Sequence, residues 1–210
     1  MKLNGRSVLL LGKANDVHVG RAVQFCRMNF TTVSVFLGNW DDPLPDGAAS
    51  WTGDLIISYL ARWIVPAGLL KQARIAINFH PGPPEYPGYG CNNFAIYEGA
   101  REYGVTCHHM APRVDTGTII DVMRFPVLAT DNAGTLLARA YDFQLVLFYR
   151  MVGRIVRGEE LPVSGETWTR KPFTRKQFGE LGRVTPGMTE EEIARRKRAT
   201  EVGALKPAPQ

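Results

Sequence analysis

The stretch Ile75-Ala-Ile-Asn78-Phe-His80-Pro-Gly-Pro-Pro-Glu-Tyr86-Pro-Gly-Tyr89-Gly90 opens as a short apolar run and closes in prolines and glycines. That change of character predicts a buried strand delivering the chain to a rigid loop. Asn78 and His80 are two apart, so both side chains point to the same side of the strand. A donor amide beside a titratable imidazole at a strand end predicts an active site. The rest of the chain must then supply a third polar group and the pockets.

Toward the N-terminus, Ser7–Gly12 reads as a first buried strand and Val17–Met28 as a helix. Val33–Leu37 is the second strand, residues 39–52 a loop, and Leu55–Leu60 the third strand, with Pro66 opening a short helix through about Ala73. Strands alternating with helices predict an α/β fold, a mostly parallel sheet with helices on both faces. Gly12–Gly20 lies where a dinucleotide fold places its phosphate loop. It carries neither GxGxxG nor GxxxxGK[ST] and reads as a plain strand-to-helix turn.

Toward the C-terminus, Asn92 or Asn93 is placed to cap a helix running to about Tyr103. Val105–Met110 and Gly117–Val127 read as an antiparallel pair added at the sheet edge, joined by a turn at Val114–Gly117. A long helix begins at Asp131–Thr135, its apolar stripe running through Leu136, Ala140, Phe143, Leu147, Met151 and Ile155, and Gly158 ends it. Beyond Leu161 come an aromatic and basic stretch, Trp168–Lys176, a charged helix over Glu190–Thr200, and a proline-containing tail over Ala204–Gln210. The reading is one domain over 1–160 with a short extension over 161–210, without an internal repeat.

Composition narrows the function class. Hydrophobic residues at 45% and charged residues at 21% suit a soluble globular chain, and a net charge of +5 is a mild bias. It suits an anionic small molecule better than nucleic acid. The cysteines, Cys26, Cys91 and Cys107, are odd in number and form no CxxC pair, which predicts neither a disulfide framework nor a zinc cluster. No apolar run approaches a membrane span, and the N-terminus is too polar to lead a signal peptide. A cytoplasmic location is expected.

The third polar group is Asp115, in the turn of the late strand pair and followed two residues on by Gly117. A carboxylate orients an imidazole and stabilises its charged form, and the imidazole then handles protons near neutral pH. An amide NH₂ donates to an oxyanion as it forms. No serine or cysteine stands beside this histidine, so the nucleophile belongs to the substrate, as in acyl transfer to an amine or hydroxyl. By spacing alone, a single histidine near a Pro-Gly turn serves structure more often than catalysis.

Asn78-Phe-His80-Pro-Gly-Pro-Pro, Gly104-Val-Thr-Cys-His108-His-Met-Ala-Pro-Arg-Val-Asp115-Thr-Gly-Thr and Asp131-Asn-Ala-Gly-Thr together resemble the 10-formyltetrahydrofolate-dependent formyltransferases. The likeness runs from about Leu55 to Gly158. It implies a Rossmann-like sheet and a formyltransferase catalytic domain in which Asn78 and protonated His80 stabilise the oxyanion while Asp115 holds His80. It also implies that the folate pterin lies against two backbone segments, Arg62-Trp63-Ile64 and Ala111-Pro112-Arg113-Val114-Asp115. Trp63 serves equally well as core filler, and His108 and His109, pointing opposite ways, are expected to be structural.

Among the family's acceptors, the expectation is a nucleotide-linked amino sugar, with no tRNA-binding barrel following. Tyr86, Tyr89 and Asn92 are candidate sugar contacts. Trp168 and Phe173, with Arg170, Lys171 and Lys176, are candidates for a base and a diphosphate, or else a basic surface segment packing two aromatics. Pro87 stands where many relatives carry an arginine, which leaves other amines open as acceptors: methionyl-tRNA, glycinamide ribonucleotide or another small amine. A non-catalytic folate- or nucleotide-binding module, hydrolysis of the donor, and a homodimer are also left open.

Overall fold

A computed structural model describes residues 6–200; the proline-containing tail lies outside the described residues. Strands β1 (Ser7–Lys13), β2 (Thr32–Gly38), β3 (Gly53–Tyr59) and β4 (Ala73–His80) run parallel, and β5 (Glu102–His109) and β6 (Ile119–Pro126) extend the sheet antiparallel. The order is β2-β1-β3-β4-β5-β6. β1 and β3 carry continuous apolar runs because each is covered on both faces.

Helices α1 (Val17–Asn29), α2 (Asp46–Ala49), α3 (Ala67–Leu70), α4 (Cys91–Glu98) and α5 (Ala133–Arg157) connect or cover the strands, followed by α6 (Arg175–Leu181) and α7 (Glu190–Thr200). The larger core lies on the face carrying Leu10, Ile57, Tyr59, Ile77 and Phe79, covered by α1, α4 and α5. The opposite face holds a smaller cluster around Leu9, Leu11 and Ile56, with Trp63, Ala76 and Met110 packed against it. Asn78 and His80 share that second face, being in step with Ala76 and, through the β3–β4 register, with Ser58.

Several boundaries differ from expectation. The helix after Pro66 stops at Leu70, because β4 already starts at Ala73. The helix after the loop ends at Glu98, because Gly99 takes φ 70° and returns the chain; Tyr103 belongs to β5. Gly90, also left-handed, precedes that helix, and neither Asn92 nor Asn93 is its cap. The basic stretch runs into α6, whose start its composition concealed. Thr174 and Gln177 form a capping box there.

Candidate active site

The site lies where β4 meets β5. The register pairs Asn78 with His108 and His80 with Thr106, so Asn78, His80 and His108 rise from one face. The connection from β5 to β6 does not leave from the same rim as the parallel strands, because β5 is antiparallel. Met110 N–H bonds Ala76 O, near the start of β4, and the chain then folds back across the face. Gly117 closes this return against His109, where a Cβ would stand 1.7 Å from the carbonyl oxygen. Asp115 adopts φ 47°, a left-handed conformation tolerated by aspartate, and this aims its carboxylate at the histidines.

Asp115 joins the two rings. Its Oδ2 lies 3.2 Å from His80 Nδ1 and its Oδ1 3.3 Å from His108 Nε2. Oδ2 also accepts the Gly88 N–H at 2.7 Å. Burial pushes this carboxyl up, but the His80 charge, the hydrogen bond to His108 and the Gly88 N–H outweigh it and hold it at about 2. His80 Nε2 donates to Tyr86 O at 2.9 Å, so both ring nitrogens face oxygen. Only a doubly protonated ring donates to both. His108 Nδ1 donates to His109 O, and its Nε2 meets the Asn78 amide nitrogen at 3.0 Å. The result is one polar chain: Asn78, His108, Asp115, His80 and the Tyr86 carbonyl.

His108, expected to be structural, is therefore part of the site, and His109 faces away from it. Period-two alternation showed that only one of the pair could face the site. The antiparallel register, invisible in sequence, selects which.

A strap from the C-terminal region covers the site. Ser164 N–H bonds Ile119 O, Thr169 N–H bonds Pro84 O, and Phe173 exchanges backbone bonds with Pro87 O and Tyr89 N–H. Glu166 pairs with Arg124, which also holds Glu85 of the proline-rich loop after β4 at 3.0 Å. Phe173 stacks on Phe94 at 3.8 Å and 7°. Gly88, at φ 86°, admits the strap because Phe173 backbone atoms stand about where a Cβ would lie.

The candidate contact residues separate by this geometry. Trp168 meets His108 edge-on at 5.1 Å and His80 at 5.9 Å, and its indole N–H bonds Gly117 O at 2.8 Å. It fixes both rings and the return loop together. Arg170 forms a two-pronged pair with Glu98 and lies over the Tyr86 and Phe173 rings, so its guanidinium is engaged within the protein. Asn92 is buried with its amide on Ala133 O, and the Tyr86 ring is buried against Tyr103. Lys171 is exposed, and Tyr89 remains at the rim beside Trp40.

The two backbone segments flank the small core cluster. Trp63 packs under Gly38 with its indole N–H on Asp42 O, and Met110, just before Ala111, packs on the same cluster. Ile64 is 71% exposed and Val114 45% exposed. Among the described residues, the backbone N–H groups of Arg62–Ile64 and of Ala111, Arg113 and Val114 have no protein acceptor. No group of three or more histidine, cysteine or acidic residues is arranged to hold a metal ion among the described residues.

Comparison with known proteins agrees with this geometry. The methionyl-tRNA formyltransferase of Latilactobacillus sakei subsp. sakei is 30% identical over 161 residues, covering 74% of this chain and 48% of the relative. The chain thus spans about half that relative's length. An N-formyltransferase from Helicobacter canadensis, solved with folinic acid and dTDP-3-aminofucose, superposes with a TM-score of 0.74 at 21% identity, covering 92% of this chain and 80% of the other. A 4-N formyltransferase from Francisella tularensis superposes at 0.75 and 16% identity, covering 92% and 87%. At these identities the structural likeness is one of fold. The family model for formyl transferase matches residues 42–152, the span that carries Asn78, His80, His108 and Asp115, and on that match this chain belongs to the formyl transferase family.

Proposed function

We propose that this protein transfers a formyl group from 10-formyltetrahydrofolate to the amine of a nucleotide-linked amino sugar. The observation that carries the reaction is the polar chain from Asn78 through His108 and Asp115 to His80, with no protein nucleophile joined to it. Cys91 gives its Sγ–H to Pro81 O, and burial pushes its thiol up to about 11, so it does not attack at neutral pH. The incoming amine is then the nucleophile.

Asn78 and His80 donate to the oxygen that gains charge during transfer, and Asp115 stabilises the imidazolium. His80 reaches that oxygen by exchanging the Tyr86 carbonyl for it. As the new N–C bond forms and the bond from the formyl carbon to the donor nitrogen breaks, Asp115, bridging two rings, gives the proton leaving the amine a path along the face to that nitrogen. Family membership supports folate as donor, which supplies the formyl carbon. Residues present suit it: the open backbone N–H groups of Arg62–Ile64 and of Ala111, Arg113 and Val114, flanked by exposed Ile64 and Val114, suit the polar edge and flat ring of a pterin.

The amino-sugar acceptor is supported by fold: the N-formyltransferases named above align over four-fifths or more of their own chains. Sequence likeness to methionyl-tRNA formyltransferase favours a second reading, with the methionyl amine as acceptor. We place the reaction on residues 1–160, with the extension from 161 supplying the strap. Buried, unpaired thiols suit a cytoplasmic setting. No helix among the described residues is long and apolar enough to cross a membrane.

Incubation with the donor and a panel of dTDP-, UDP- and GDP-linked amino sugars, with methionyl-tRNA alongside, tests the assignment by mass. A sugar product heavier by one formyl group is expected. Turnover of methionyl-tRNA alone replaces the sugar reading, and release of formate without any acceptor rejects transfer.

A further inference from the structure

Beside the catalytic loop, two guanidinium groups converge on one indole. Arg62 lies over the Trp40 ring at 4.2 Å and Arg175 over the same ring at 4.8 Å. Arg175 also lies over Tyr89 at 5.6 Å, and Tyr89 meets Trp40 at 5.6 Å. Three distant pieces of chain build this cluster: the turn after β2, the segment after β3, and the start of α6. All meet at the rim where the parallel strands end, which is where open α/β sheets bind ligands.

The cluster is held rigidly from beneath. Asp42 Oδ2 accepts the Asn39 N–H at 2.6 Å, Asp42 O accepts the Trp63 indole N–H at 2.9 Å, and Gly38 lies flat on the Trp63 ring. Tyr89 is fixed by its N–H on Phe173 O, one residue after the Gly88 N–H that holds Asp115. Its proximity to the reacting centre thus follows from the chain itself.

Its two cations are only loosely paired, although Asp41 and Asp42 follow Trp40 in the same turn. Among the described residues Arg62 has no carboxylate within ion-pair distance. Arg175 has Asp41 at 3.5 Å, but both side chains are mostly exposed, and such a pair contributes little. Two cations drawn onto one half-exposed ring repel each other, and an anion that pairs with both relieves that repulsion. Cation–π attraction holds the planar groups in place, and one edge of Arg62 also reaches the Tyr141 hydroxyl.

We infer that Arg62 and Arg175, pinned on Trp40, form a subsite for the diphosphate of the nucleotide-linked acceptor. This deepens the acceptor reading above and rests on it. A diphosphate offers adjacent oxyanions that two forked guanidinium groups engage in parallel. The amino sugar on one side of the diphosphate then points along Tyr89 and Gly88 toward His80, and the nucleoside extends outward over the exposed edge of Trp40. The same two arginines would also suit a carboxylate from the glutamyl tail of the folate, so the test separates these sources.

The test is calorimetric titration of UDP, dTDP, GDP and 5-formyltetrahydrofolate into the wild type, Arg62→Gln and Arg175→Gln. At least one nucleoside diphosphate is expected to bind the wild type, and each substitution to weaken it about tenfold, the effect of losing one charge-assisted contact. Arg175→Gln is expected to leave 5-formyltetrahydrofolate affinity within about twofold. Arg62 is half-buried and Arg175 exposed, and circular dichroism checks that both variants fold. Unchanged diphosphate affinity in both variants, weakening of the folate alone, or no diphosphate binding to the wild type overturns the inference. Diphosphate binding through the arginines without formylation of any amino sugar upholds the subsite and rejects the acceptor assignment.

Discussion

Replacing Asp115 with asparagine removes the charge that joins His80 and His108 while keeping an oxygen for the Gly88 N–H. The carboxyl is held near 2 against an ordinary 3.8, because the histidine charges and hydrogen bonds exceed the opposing effect of burial. A folded-state value below the unfolded one adds stability above pH 3.8, and that stability is lost as pH falls through about 2. The gap corresponds to about 2 kcal/mol. Urea unfolding at intervals from pH 6 to pH 2 measures it. Wild type is expected to lose about 2 kcal/mol more than Asp115→Asn across the acidic part of that range. The variant begins weaker at pH 6, so the two curves converge as pH falls. Parallel curves would mean that Asp115 is not held as a carboxylate by its two histidines, and the catalytic role built on that charge would fail with it.

Other predictions test the site piece by piece. His80→Asn is expected to lower formyl transfer by at least about 10²-fold, with the circular dichroism spectrum unchanged; retained activity removes His80 from the chemistry. Trp168→Ala is expected to cost about 1–3 kcal/mol in urea and to lower the turnover number, with Trp168→Phe recovering most of the stability but not the indole bond to Gly117 O. An unchanged pH–rate profile in Trp168→Ala would show that the indole packs without positioning the histidines. Gly117→Ala is expected to destabilise by at least about 2 kcal/mol, because a methyl group cannot occupy a point 1.7 Å from the His109 oxygen without moving the β5–β6 connection. A wild-type urea midpoint would refute that closeness.

Local signals recovered most of the architecture. The apolar runs of β1 and β3 and the Pro-Gly loop after His80 mark themselves, and the stripe on α5 places that helix on the sheet. Asn78 and His80 followed from strand parity. His108 did not, because its place depends on a register between β4 and β5 that no short-range pattern encodes. The strap's partners were equally hidden: Trp168 and Arg170 read either as ligand-binding groups or as part of a basic segment packing two aromatics on the domain, and their partners Glu98, Gly117 O and the two histidines lie 50 to 90 residues away in sequence and meet them only in the fold. Tyr86 and Asn92 were misleading for the same reason. Their polarity suggested a ligand, but the Asn92 amide is taken by Ala133 O and the Tyr86 ring is buried against Tyr103 beneath Arg170.

The strap also sets an order of assembly. During synthesis β4 and its proline-rich loop emerge well before residues 164–173, the segment whose backbone the loop needs at Pro84, Pro87 and Tyr89. The sheet therefore has the means to form while the catalytic loop still lacks its partners, since domains fold as their segments become available. Competence for chemistry arrives late, when the last third of the chain closes back over the middle. A ribosome stalled after α5 would hold a recognisable sheet that cannot yet fix its histidines.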